Sequence, residues 1–195
     1  MREILLVPHA NRAENLQATS RAAELLQEAG ITVRVCADET VLPGLQHVSH
    51  SDAAAAGCEL VLVLGGDGTF LRAADMARAV DIPVLGVNLG HVGFLAEWEV
   101  ESLDRAVARV IEKSYRVEDR LTVDVSISDA NGHQLASSWA LNEASVENQN
   151  RSGVLDAILE IDRRPVSSFG CDGVLISTPT GSTAYSRQCD HAVRR

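Results

Sequence analysis

The sequence predicts an α/β domain on a parallel sheet, followed by an all-β, antiparallel domain. Three observations carry this. Up to residue 116, short continuous apolar runs alternate with helix-like stretches, as expected of strands covered on both faces by crossover helices. Beyond 116 the pattern becomes an apolar/polar alternation broken by turn residues, the mark of half-buried antiparallel strands. Aromatic residues make up only 4% of the chain, so the core must rest on Leu, Val, Ile and Ala, which suits a helix-covered sheet. The domains read as 1–116 and 117–195.

"EILLV" (3–7) is compact and apolar, a buried first strand. A helix follows over 11–30, with Asn11 as its cap, Glu14 three residues later and Gly30 as its stop. Ala22, Leu25, Leu26 and Ala29 form its apolar face. "ITVRVC" (31–36) is a second strand. Residues 37–57 hold Pro43, Gly44, Ser49 and Ser51 and read as a loop with a short Ala-rich helix. "ELVLVL" (59–64) is apolar throughout and so predicts a central strand. A helix over 70–80, a strand over 82–88 and an amphipathic helix over 101–114 follow, the last with Leu103, Val107, Val110 and Ile111 on one face. This order predicts a parallel, doubly wound sheet. In the second half, Asn131-Gly132 marks one hairpin turn and Asp162–Pro165 another.

The net charge is -10, with 27 acidic against 17 basic residues, which argues against binding nucleic acid through its phosphates. No apolar run approaches the roughly 18 residues of a membrane span, and "MREILLVPHA" is too short for a signal sequence. A soluble, cytoplasmic protein is expected. Cys36, Cys58, Cys171 and Cys189 are too scattered for a zinc site and read as reduced thiols. His9, His47, His50 and His133 share no metal-site spacing, so no protein metal ligand is assigned. His91, between glycines, reads as structural, and Trp98 and Trp139 as packing residues.

The chemistry concentrates in three places. "GGDGT" (65–69) lies where a strand ends and a helix begins. Glycines there let backbone N–H groups approach an anion, helped by the helix dipole. The turn lacks the Gly-Lys-Ser/Thr ending of a Walker A loop. Asp67 stands out, because a carboxylate beside phosphates repels them unless it takes a proton or meets a divalent cation. Phosphoryl transfer to a hydroxyl needs such a group. A carboxylate that merely caps the following helix is the alternative, and on this turn alone the two stand equal. The second place is "STPTGSTAYS" (177–186), a hydroxyl-rich loop after a strand that begins beyond a turn at Asp172. Such a loop binds sugars and phosphates, or is simply a polar surface loop. The third is Asn142-Glu143, closing an apolar strand, a pair suited to a ribose or an amide, or a plain turn.

Together, "GGDGTFLRAA" (65–74), "GVNLGHVGFLAE" (86–97), "LNEASVE" (141–147) and "GCDGVLISTPTGSTAY" (170–185) resemble the NAD kinase family. The GGDGT turn alone is shared with lipid and sugar kinases; the Asn-Glu pair and TPTGSTAY make the match specific. The resemblance implies transfer of the terminal phosphoryl group of ATP, or of polyphosphate, to the 2′-hydroxyl of the adenosine ribose of NAD. It implies Asp67 as general base, with Gly68 against the dinucleotide and phosphates and Arg72 contacting NAD. Asn142 and Glu143 would bind the adenine and a ribose. Asp172 would meet the nicotinamide end or reach it from a neighbouring subunit. Thr180, Thr183, Ala184, Tyr185 and Ser186 would line the dinucleotide site, with Tyr185 packing on a ring. A divalent cation such as Mg²⁺ and a homo-oligomer are also implied.

The family chain continues beyond the TAY segment through more strands. The ten residues "SRQCDHAVRR" (186–195) do not resemble that continuation. The expectation is an incomplete β domain, from a shifted reading frame or a shortened gene, with weak or absent activity. A binding-only nucleotide module therefore stands as the alternative to the kinase.

Overall fold

The computed structural model describes residues 1–9, 13–36, 42–89, 95, 98–99, 102–148 and 153–183. The chain divides into two compact units, Met1–Val117 and Glu118–Arg195. The first is α/β and parallel; the second consists of antiparallel strand pairs.

In the first unit the elements run β1 (Glu3–Pro8), α1 (Ala13–Glu28), β2 (Thr32–Val35), β3 (Gln46–His47), β4 (Leu60–Leu64), α2 (Asp67–Arg78), β5 (Val84–Asn88), β6 (Trp98–Glu99) and α3 (Leu103–Ile111). All six strands are parallel, in the order β3-β2-β1-β4-β5-β6. The unbroken apolar runs have a direct cause. In β1 and β4, Ile4, Leu6, Leu60, Leu62 and Leu64 pack with Ala22 and Leu26 of α1 and Val107 and Val110 of α3. The alternate residues Leu5, Val7, Val61 and Val63 pack with Ala73, Met76 and Ala77 of α2. Both faces of the two central strands are thus dry, so neither can carry polar residues.

Several expectations are corrected. The α1 face runs through Ala18, Ala22, Ala23 and Leu26, while Ala29 is exposed; the Asn11 cap lies outside the described residues. The Ala-rich stretch 51–57 is a chain of turns with bonds such as Ala54 N–H to Ser51 O and Ala56 N–H to Ala53 O. The Arg34 guanidinium donates to the carbonyls of Ala54 and Ala56. The two-residue strands β3 and β6 were not expected; pieces this short carry no period. In α3, Leu103, Val107 and Val110 are buried and Ile111 is partly so.

At the other end of the sheet, Arg2 ties three elements together. Its guanidinium donates to Glu59 and to the carbonyls of Val110 and Ile111 at the end of α3. The Ile111 carbonyl lies beyond the reach of intrahelical donors, Val110 O also accepts from Lys113 N–H at 3.2 Å, and a cation there suits the helix dipole.

The second unit holds β7 (Val123–Ser128), β8 (Gln134–Ala140), β9 (Glu143–Glu147), β10 (Leu155–Ile161), β11 (Arg164–Cys171) and β12 (Gly173–Ser177). β7 pairs with β8, β10 with β11 and β9 with β12, all antiparallel. The first hairpin is not a two-residue Asn-Gly turn. Only Gly132 has a positive φ, and Asp129 organises the loop by accepting from the N–H groups of Asn131 and His133. In the second, Asp162 and Arg163 both take positive φ, as a two-residue hairpin turn requires, and Pro165 is already within β11. The alternation predicted half-burial, yet Ile127, Leu135, Ile158 and Ile161 remain exposed among the described residues. The described α-helices belong to the first unit, and none is long and apolar enough to cross a membrane.

Candidate functional site

The glycine turn sits where the sheet reverses its order. β1 and β4 are neighbours; β2 and β3 extend from β1 on one side, β5 and β6 from β4 on the other. In open α/β sheets this is where ligands bind, beyond the carboxyl ends of the strands. His9 N–H donates to Leu64 O at 2.9 Å, and Gly65 N–H to Val87 O at 3.0 Å, so three strand ends meet there. Gly65 is buried; a Cβ on it would lie 2.8 Å from Thr69 Oγ1 and 3.0 Å from His9 Cβ. Only glycine fits that approach.

Asp67 is the first residue of α2, three residues earlier than the sequence predicted, and Gly66 is the N-cap. Asp67 thus stands in the first turn of α2 rather than at its cap position, which Gly66 fills without a side-chain bond. The Asp67 Oδ1 accepts from the backbone N–H of Leu95 at 3.1 Å. The first-turn N–H groups have no intrahelical acceptor, and a Cβ on Gly66 or Gly68 would meet nothing within 4 Å. Backbone donors and a held carboxylate thus share an open turn. Arg72 is exposed on α2, five residues on.

In the second unit, Asn142 and Glu143 open β9 rather than close a strand. Both are half-buried, and Asn142 Oδ1 and Glu143 Oε2 are buried atoms without a partner among the described residues. Burial pushes the Glu143 carboxyl above its usual range. Two unmatched acceptors side by side suit a ligand bringing N–H or O–H donors. β12 pairs with β9 from Gly173 opposite Glu147 to Ser177 opposite Glu143, which brings the turn at 178–183 against Asn142. Thr180 is half-buried in that turn, and Thr183 ends a short 3-10 turn, Gly181–Thr183. Asp172 is exposed, and its carbonyl accepts from Asn148 N–H. Ala184, Tyr185 and Ser186 lie outside the described residues, as do His91, Cys189 and the segment 186–195.

Sequence reasoning missed Leu95, Thr178 and Gly181. Leu95 acts through its backbone, which no side-chain pattern reveals. Thr178 is only 2% exposed, and its place just before a proline at a strand end is the signal that could have found it. Cys36 and Cys58 are buried thiols, Cys171 is half-buried, and burial raises the Cys58 thiol above its usual range. Trp139 is half-buried and His133 pairs with Asp129. The side chain of Trp98 is outside the described part.

The profile of the ATP-NAD kinase N-terminal domain matches residues 4–115, more than half the chain, and that of the ATP-NAD kinase C-terminal domain matches 141–188. The chain is 64% identical to the NAD kinase of Corynebacterium efficiens over 193 residues, covering 95% of this chain and 61% of the relative. It is 53% identical to the NAD kinase of Nocardia farcinica over 202 residues, covering 95% and 62%. The chain thus spans about three fifths of the length of the curated relatives it matches. Among solved structures, yeast NADH kinase complexed with NADH superposes with a TM-score of 0.82 at 19% identity, covering 98% of this chain and 62% of that one. An NAD kinase from Archaeoglobus fulgidus in complex with ATP gives 0.69 at 22% identity, covering 100% and 67%. With the glycine turn at the sheet's switch point and both domain profiles in order, the chain belongs to the NAD kinase family.

Proposed function

We propose that this chain carries the NAD kinase reaction, moving the terminal phosphoryl group of ATP or polyphosphate to the 2′-hydroxyl of the adenosine ribose of NAD to give NADP. The observation that carries this reading is Asp67, held by Leu95 in the first turn of α2, in a turn of unhindered backbone donors. The names of the relatives support it. So do the nucleotides bound in the two solved neighbours.

In this reading Asp67 orients the 2′-hydroxyl and takes its proton as the ribose oxygen bonds to the terminal phosphorus. The bond from that phosphorus to the rest of the donor breaks, and the shortened donor leaves. Gly66 and Gly68 let the first-turn N–H groups stabilise phosphate oxygens. Arg72 adds positive charge on the same helix. Asn142 and Glu143 accept from the dinucleotide's amine and hydroxyl groups, and Thr180, Thr183, Ala184, Tyr185 and Ser186 line its site, with Asp172 toward the nicotinamide. Among the described residues, no group of three or more His, Cys, Asp or Glu side chains could hold a metal. A divalent ion accompanying the donor's phosphates belongs to the same proposal. When bound, the ion offsets charge on the transferred group. A homo-oligomer in the cytoplasm belongs to the same proposal.

The test is NADP formation by the 195-residue chain with NAD, ATP and Mg²⁺, beside an Asp67→Asn variant. Weak NADP formation by the parent, lower by about 10²–10⁴-fold in the variant, is expected. Equal rates would overturn Asp67 as the base. NAD binding without NADP would favour the binding-only module.

A further inference from the structure

The Asn142-Glu143 pair and the turn that follows β12 are joined by one buried hydroxyl. Ser177 opposite Glu143 is the last strand pair. One residue on, Thr178 N–H donates to Asn142 O at 2.8 Å, extending the ladder. The Thr178 hydroxyl donates to Leu141 O at 2.6 Å and accepts from Gly181 N–H at 3.0 Å. Thr178 is 2% exposed and Leu141 8%. Gly181 is buried against Asn142, and a Cβ there would collide with the Asn142 backbone. Ser182 Oγ closes the turn by donating to Pro179 O at 2.7 Å. The hydroxyl spends both its donor and an acceptor lone pair inside the protein, so it is not offered to a ligand.

We propose that Thr178 is a positioning residue: with Gly181 it clasps the 178–183 turn to Leu141 and Asn142, and so fixes the two unmatched acceptors of Asn142 and Glu143 for an adenine dinucleotide. This rests on the NAD kinase reading for the identity of the ligand, but not for the clasp. A valine at 178 keeps the shape but removes the bonds to the Leu141 carbonyl and from the Gly181 N–H, both in a buried setting where an unmade bond is costly. Serine keeps both bonds. An alanine at 181 leaves the hydroxyl in place and pushes the turn off Asn142.

The test compares Thr178→Val, Thr178→Ser and Gly181→Ala in the 195-residue chain, reading backbone amide exchange and the NAD dissociation constant. For Thr178→Val we expect Gly181 N–H to exchange at least about tenfold faster and NAD to bind at least about tenfold more weakly. The amides of β9 and β12 should stay protected. Thr178→Ser should restore both within about threefold, and Gly181→Ala should weaken NAD while β9 and β12 hold. Unchanged Gly181 exchange in Thr178→Val overturns the clasp. Unchanged NAD affinity after the Gly181 amide has been freed overturns its positioning role. If the parent binds no NAD, the kinase reading fails at this site, and the exchange result still decides the clasp. If Thr178→Val also loses β9 and β12 protection, Gly181→Ala decides: NAD affinity equal to the parent's overturns the proposal.

Discussion

The backbone N–H of Leu95 donates to Oδ1 of Asp67 at 3.1 Å, across 28 residues of sequence. The bond aims a carboxylate in the first turn of α2, and it uses a backbone donor that proline alone can remove. Leu95→Pro deletes it. NADP formation should fall about tenfold to a hundredfold, with NAD affinity nearly unchanged. Asp67→Asn, which can still accept from Leu95 through its amide oxygen, should fall further. Steady-state kinetics on both variants checks the order.

The glycines of the turn should separate stability from function. Gly65→Ala drives a methyl into Thr69 and His9 and should cost about 2 kcal/mol, read from urea unfolding. Gly68→Ala meets nothing and lies inside α2, so it should stabilise by about 0.5–1 kcal/mol. It should nevertheless impair phosphoryl transfer by narrowing the approach to the backbone.

Glu143 should make dinucleotide binding depend on pH. Burial raises its carboxyl above the usual glutamate range, so ionisation costs stability, and that cost appears as pH rises from the unfolded value through the folded one. A ligand donating to Glu143 prefers the ionised form, so NAD affinity should improve over the same rise. Calorimetric titrations across that window should show the trend in the parent and a flat line in Glu143→Gln.

Acid should loosen the first unit. A hydrogen bond from Arg2 lowers the Glu59 carboxyl, and one from Arg34 lowers Glu3. Their folded values lie below the unfolded ones, so the stability they bring is complete above the usual glutamate range, about 4.3. It is lost as pH falls through the lowered values. Arg2→Ala should cost about 2 kcal/mol at neutral pH, since it also strands the carbonyl of Ile111. It should flatten the acid dependence of the melting temperature.

The parallel sheet was legible because β1 and β4 are dry on both faces, and that requirement writes unbroken apolar runs such as Leu60–Leu64 into the sequence. The glycine turn was legible because backbone approach demands glycine. What stayed hidden depends on partners distant in sequence. The start of α2 at Asp67 needed Gly66 as a cap with no side chain to reveal it. The turns at 51–57 depend on Arg34, some twenty residues away. The pairing of β9 with β12 spans a hairpin that looked like the whole motif. Thr178 resembled its hydroxyl neighbours until its burial set it apart.

That long-range pairing makes the β10–β11 hairpin a detour. Asn148 N–H meets Asp172 O at 3.0 Å, so the chain departs and returns through a narrow neck, and β10 and β11 pair with each other in between. The neck has a fixed width whatever lies beyond it, and the entropy of closing it grows only slowly with the length enclosed. Evolution could lengthen, shorten or replace this excursion while β9, β12 and the turn after them keep their register. The hairpin is therefore the part of the unit most open to change in size, and the neck is the part least so.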